Sequence, residues 1–204
     1  NYVHKLSYFS VSVACLRDGV TVAGGVYAPV SGELFLAERG QGARCNGEPV
    51  RVSSVSTLHE ALFVTGFPYE REGRIPMLQR MVGNALSHVQ GIRRMGSAAL
   101  DLCHVASGIF DIYIEFEIKP WDMAAGVLVL QEAGGTVTRC VTGAGDDGFA
   151  ALRGAGFSVV EPASTPNFVC RIDGVPGPAS EACIDTPPHN AYWSYWRAKR
   201  GGAW

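Results

Sequence analysis

The chain has 204 residues and a mass of 21.8 kDa, and 47% hydrophobic against 18% charged residues set it apart from disordered chains. Lys plus Arg number 17 and Asp plus Glu 19, so a net charge of −2 gives no broad electrostatic attraction to nucleic acid or anionic lipid. The longest strictly apolar run, Met123 to Leu130, falls far short of the ~20 residues that a membrane span needs.

Residues 7–52 read as β structure. Phe9, Val11, Val13 and Cys15 alternate with polar or small residues, the pattern of a half-buried strand. Asp18-Gly19 follows as a two-residue hairpin signal, because both turn positions need positive φ. Ser31-Gly32 and Asn46-Gly47 predict further turns around a strand over Glu33–Ala37, and the whole predicts an antiparallel meander. From residue 58 the pattern changes. Ala61–Thr65 predicts a strand and Gly66-Phe67-Pro68-Tyr69 a loop. Pro76–His88 predicts a helix, with Met77, Leu78, Met81, Val82 and Leu86 near the helical period. Gly91–Met95 reads as a strand, and Ser97–Ser107 as a helix with Ser97 as its N-cap and Gly108 as its stop. Phe110–Ile118 is the cleanest alternation: Phe110, Ile112, Ile114, Phe116 and Ile118 on one face, Asp111, Tyr113, Glu115 and Glu117 on the other. Trp121–Ala133 reads as an apolar helix closed by Gly134-Gly135, and Thr136–Arg139 starts a strand. Strands alternating with helices predict an α/β layer behind the meander. After Cys140 the texture turns Gly/Asp-rich, then Pro-rich and aromatic, with a short helix expected over Phe149–Ala155 and a boundary near residue 140.

Six cysteines fall at 15, 45, 103, 140, 170 and 183, and none is spaced Cys-x-x-Cys. The first three sit in apolar runs, which predicts buried, inert thiols and a reducing, cytoplasmic compartment. Cys170 and Cys183 are flanked by turn residues and are expected to pair under oxidising conditions.

Three places carry chemical potential. Gly96-Ser97-Ala98 opens a helix, where free N–H groups receive an anion or a hydroxyl, or simply form an N-cap. Glu115 stands on the polar face of its strand, as a substrate acceptor or a solvated carboxylate. Asp122 opens the next helix, where it complements the dipole or offers oxygen to Mg²⁺.

Together these segments form a long ordered series. Gly-Ser-Ala-Ala-Leu-Asp-Leu-Cys (96–103), Ile114-Glu115-Phe116, Pro120-Trp121-Asp122-Met123-Ala124-Ala125-Gly126 and Glu132-Ala133-Gly134-Gly135 closely resemble the inositol monophosphatase family of magnesium-dependent phosphomonoesterases. Asn1-Tyr2-Val3-His4, Glu38-Arg39-Gly40, Cys45-Asn46-Gly47 and Thr65-Gly66-Phe67-Pro68 agree with it. The resemblance implies a partial layered α-β-α-β-α sandwich over residues 1–139, with a small phosphorylated polyol as substrate and a homodimer as assembly. It implies that Asp122 is a Mg²⁺ ligand, that Glu115 holds substrate hydroxyls and that Gly96, Ser97 and Ala98 line the pocket. The family's Asp-Pro-x-Asp-Gly-Thr metal-binding segment would fall just before Asn1. The expectation is therefore an N-terminally truncated domain that is inactive as it stands, or a non-catalytic binding or dimerising remnant. Glu117 stands where the family usually has Gly. Residues 140–204 are expected to form an unrelated extension, and Phe168–Gly174, Cys183 and Tyr192–Trp196 are similar to a module of exported actinobacterial surface proteins.

Overall fold

The computed structural model describes residues 1–139, apart from 70, 74 and 117, together with 168–172. After a 3-10 turn at Tyr2–His4, strand β1 (Val11–Arg17) runs into β2 (Val20–Ala28). Asp18 and Gly19 between them take φ of 52° and 84°, as a tight hairpin of this hand requires. Strands β3 (Glu33–Glu38), β4 (Ala43–Cys45) and β5 (Glu48–Pro49) complete a five-stranded meander in the order β1-β2-β3-β4-β5. The Asn46-Gly47 turn repeats the device, with φ of 51° and 88°.

The second half alternates. Strand β6 (Leu62–Thr65), helix α1 (Ile75–His88), strand β7 (Gly91–Arg93), helix α2 (Ala98–Ala106), strand β8 (Ile112–Ile114), helix α3 (Pro120–Glu132) and strand β9 (Gly135–Arg139) follow in turn. Strand β10 (Phe168–Ile172) enters the same sheet, whose order is β7-β6-β8-β10-β9. β6 runs parallel to β7 and to β8, while β10 runs antiparallel to β8 and β9. Helices α2 and α3 lie between the two sheets around one core, with Phe35, Leu100, Leu102 and Leu128 fully buried. Helix α1 covers the far face of the second sheet, where Leu78 and Met81 join Phe63 and Ile112.

Close approach explains the Ala-Ala-Gly stretch of α3. A Cβ on Gly24 of β2 would sit 3.0 Å from Ala125 Cα, and one on Gly126 would sit 2.8 Å from Leu102 Cβ. Small residues let α3 touch the meander and α2 in one turn. Glu132 at the far end of α3 accepts from the Gly40 and Gly42 N–H groups at 2.8 and 2.9 Å, tying the β3–β4 loop to the helix.

Three expectations are corrected. The alternation of β1 is present, but the residues expected inside face outward: Val11 and Val13 are 59% and 65% exposed and Cys15 is exposed. The inner face takes Ser12, Ala14 and Leu16, with the small Ala14 beside Gly24, where α3 approaches most closely. Cys45 is half-buried and Cys103 fully buried, so only part of the buried-thiol expectation holds. Strand β8 is three residues long, not nine. It lies in the interior of its sheet with both faces covered, Ile112 against the α1 cluster and Tyr113 against the α2–α3 cluster, so its alternation separates two cores rather than core from solvent. Glu117, the helix expected over 149–155 and the side chains of Cys170 and Cys183 lie outside the described residues.

Candidate active site

The parallel strands define where a site belongs. In an open α/β sheet, ligands bind beyond the carboxyl ends of the strands. Gly66 and Phe67 follow β6, Arg94 and Gly96 follow β7, and Glu115 follows β8. Helices α2 and α3 begin at the same end, so two sets of free N–H groups face that edge. Thr65, fully buried, donates to the Ile114 carbonyl at 2.6 Å and fastens the ends of β6 and β8 together.

Glu115 is half-buried one residue past β8. Tyr113 Oη donates to its Oε2. The Gly66 backbone is pressed against the carboxylate, where a Cβ would collide with it. Burial pushes the Glu115 carboxyl above its ordinary range and the Asp122 charge pushes the same way, while the Tyr113 hydrogen bond and the Arg94 charge pull it back. Asp122 sits in the first turn of α3, also half-buried. Burial raises its carboxyl too, against a backbone hydrogen bond from Lys119 and the Lys119 charge. Glu115 and Asp122 therefore share one electrostatic neighbourhood.

Gly96 has φ 90°, and a Cβ there would lie 2.5 Å from Arg94 Nη1 and 3.2 Å from the Asn1 carboxamide. Asn1 Nδ2 donates to the Tyr8, Met95 and Gly96 carbonyls at 2.5, 2.9 and 3.3 Å. Ser97 holds the N-cap position of α2, but its hydroxyl makes no capping hydrogen bond and lies 3.4 Å from Ser10 Oγ instead. Ala98 is the first helical residue. One turn on, Asp101 is fully buried. Its charge is coupled to those of Glu115 and Arg94. The predicted substrate residues thus gather at one end of the second sheet.

Sequence reasoning did not single out Arg94, Gly66, Tyr113 or Asp101. Asp101 carried a signal, a charge within an otherwise apolar helix. Arg94 carried none, since an exposed arginine beside a loop is ordinary. Its guanidinium lies 5.8 Å from the Phe67 ring centroid.

The fit to magnesium is partial. Among the described residues no group of three or more His, Cys, Asp or Glu side chains converges to hold a metal. The Glu115 carboxylate is engaged by Tyr113, which leaves Asp122 as a single acidic ligand, whereas Mg²⁺ demands near-octahedral oxygen coordination. These residues do not complete a magnesium site. Two open grooves, of about 580 and 520 Å³, run along the meander and include neither Glu115 nor Asp122. They lack the convergent strand ends and helix starts found at the edge of the second sheet.

Comparison with known proteins agrees with this placement of the fold. The sequence profile of the inositol monophosphatase family matches residues 1–163. The chain is 46% identical over 137 residues to Nus factor SuhB of Pasteurella multocida, covering 67% of this chain and 51% of that protein. It is 42% identical over 145 residues to the chloroplastic phosphatase IMPL1 of Arabidopsis thaliana, covering 68% of this chain and 39% of that one. Among solved structures, the inositol monophosphatase from Anabaena (Nostoc) sp. PCC 7120 superposes with a TM-score of 0.69 at 37% identity, over 84% of this chain and 62% of that one. The extragenic suppressor protein suhB from Bartonella henselae gives 0.66 at 36% identity, over 85% and 63%. The chain spans about half the length of the relatives it matches in sequence. Matched by the family profile over four fifths of its length and sharing the fold of these structures, the chain belongs to the inositol monophosphatase family.

Proposed function

We propose that this chain carries the substrate-recognition side of a phosphomonoesterase acting on inositol monophosphate or a related small polyol phosphate. The convergence of Glu115, Asp122 and the Gly96–Ala98 loop at the carboxyl ends of β6, β7 and β8 carries this reading. Glu115 accepts hydrogen bonds from substrate hydroxyls. Gly96, Ser97 and Ala98 line the pocket and present N–H groups at the head of α2. Asp122 offers a carboxylate to Mg²⁺. Magnesium held by a full ligand set would neutralise charge on the phosphoryl group. The described residues do not complete that set, so no hydrolytic step is assigned to them.

All candidate residues precede residue 140, and we place the recognition function in residues 1–139, whose second sheet is completed by strand β10 from the following segment. A net charge of −2 favours a small-molecule partner over nucleic acid. The free thiols at Cys15, Cys45 and Cys103 favour a reducing, cytoplasmic setting. A second reading, a binding or dimerising module without turnover, is favoured by the incomplete ligand set.

Phosphate release from inositol 1-phosphate across a Mg²⁺ titration separates these readings. This chain is expected to release none above background. A chain with the family's Asp-Pro-x-Asp-Gly-Thr segment joined ahead of Asn1 is expected to turn over, and Asp122→Asn in it to abolish turnover. Each ~1.4 kcal/mol of lost transition-state stabilisation is tenfold in rate, and a lost ligand removes several such steps. Chelator-sensitive turnover by this chain contradicts the ligand count; no turnover by the extended one contradicts the phosphatase reading.

A further inference from the structure

Three backbone carbonyls converge on the side chain of Asn1. Its Nδ2 donates to the Tyr8 carbonyl at 2.5 Å, to that of Met95 at 2.9 Å and to that of Gly96 at 3.3 Å. Only the amide nitrogen suits such a cradle, because a carboxamide oxygen has no proton to give a carbonyl. The segment that carries Asn1 is closed on itself. The His4 and Leu6 N–H groups donate to the Asn1 carbonyl at 3.0 and 3.1 Å, and the Tyr2 and Phe9 rings meet edge to face at 5.2 Å. Two further contacts run from the same segment to the start of α2. Ser10 Oγ lies 3.4 Å from Ser97 Oγ, and Tyr8 Oη donates to Asp101 Oδ1 at 2.8 Å. Asn1 thus reaches the candidate substrate loop from an ordered support.

We propose that Asn1 is a positioning residue for the Gly96–Ala98 loop, turning the Gly96 and Ser97 N–H groups to one side as paired donors for the substrate; the inference rests on the reading of that loop as the substrate side. A peptide unit is planar and trans, so each N–H points opposite to the carbonyl with which it shares a plane. Drawing the Met95 carbonyl to Asn1 sends the Gly96 N–H the other way. Drawing the Gly96 carbonyl to Asn1 does the same to the Ser97 N–H. Both donors then face away from the N-terminal segment, and among the described residues neither has an acceptor. Nothing local would hold them there. Gly96, at φ 90°, has no side chain to limit its backbone, and the Ser97 hydroxyl makes no capping hydrogen bond. The close fit is visible from the other side too, since a Cβ on Gly96 would lie 3.2 Å from both Asn1 Nδ2 and Asn1 Oδ1. The clamp is also chemically specific. A carboxylate of the same shape would set charged oxygen against three carbonyl oxygens and could donate to none of them.

NMR of the full chain tests this without substrate or metal, and a ligand titration then tests its consequence. In the unaltered chain the Asn1 Nδ2 protons should exchange with solvent more slowly than those of an exposed carboxamide. The Gly96 and Ser97 amides should have ¹⁵N order parameters near ~0.85, as in rigid backbone. Asn1→Asp, and Asn1→Ala as the variant without added charge, should bring both below ~0.6 while the amides of the two sheets keep theirs. Inositol 1-phosphate should bind either variant about tenfold more weakly, because the ligand must then order the loop itself. A merely structural Asn1 would loosen the sheets as well and leave the affinity of the folded chain unchanged, and that result overturns the proposal. Loop amides equally ordered with and without the Asn1 side chain overturn it too, as does exchange of the Asn1 Nδ2 protons at the exposed rate in the unaltered chain. Failure of the unaltered chain to bind inositol 1-phosphate overturns the recognition reading instead, and the order parameters then decide the clamp by themselves.

Discussion

Asp101 shows what a single buried carboxyl does to this fold. Its ordinary value of 3.8 is raised to about 7, so the native state holds a proton that the unfolded chain has released across that interval. The sign follows from linkage: the contribution of Asp101 is most favourable below about pH 4, falls as pH rises towards 7, and stays reduced above it. At 1.36 kcal/mol per unit the penalty is on the order of 4 kcal/mol. Asp101→Asn keeps an acceptor for Tyr8 and removes the charge. It should stabilise the chain at pH 8 and change stability by under about 1 kcal/mol at pH 4, measured by urea unfolding. A variant equally stabilising at both values would show that charge is not the cause. Gly66 gives a second test. The atom a Cβ would meet is the end of the Glu115 side chain, which can swing away. Gly66→Ala should therefore unfold normally while weakening inositol phosphate binding about tenfold, ~1.4 kcal/mol, by calorimetry.

At the scale of elements, local chemistry was legible where one residue type decides the backbone. Asp18-Gly19 and Asn46-Gly47 adopt the positive φ that their hairpins demand, and α1, α2 and α3 begin and end within one residue of expectation. What the sequence could not show was which face of a strand finds a cover. Alternation in β1 marks two faces, but α3 approaches so closely at Gly24 that its partner Ala14 faces the helix while Val11 and Val13 turn outward. Alternation over 110–118 misled for the opposite reason, since helices cover both sides of β8. The energetic consequence is checkable. Val13→Thr, on the exposed face, should change stability by under about 0.5 kcal/mol. Phe35→Ala, fully buried against α2 and α3, should cost about 3–5 kcal/mol. Similar losses at the two positions, by denaturant unfolding, would mean that the outer face of the meander is covered in solution.

Across the whole molecule, the site is assembled by topology rather than by a contiguous motif. Resemblance proposed Glu115 and Asp122, and the helix start proposed Gly96–Ala98; the structure brings them to one sheet edge. Of their supports, Gly66 after β6 and Tyr113 inside β8 meet because parallel strands bring their carboxyl ends together, and Asn1 reaches Gly96 from the N-terminal segment. No local pattern announces such a meeting. The most direct test is a ¹H–¹⁵N NMR titration of the chain with inositol 1-phosphate in the presence of Mg²⁺. The amides of Gly66, Gly96, Ser97, Glu115 and Asp122 should shift together and saturate at one concentration. Shifts confined to the grooves of the meander around Arg44 and Arg51, or none at saturating ligand, would contradict the placement of the substrate at the ends of β6, β7 and β8.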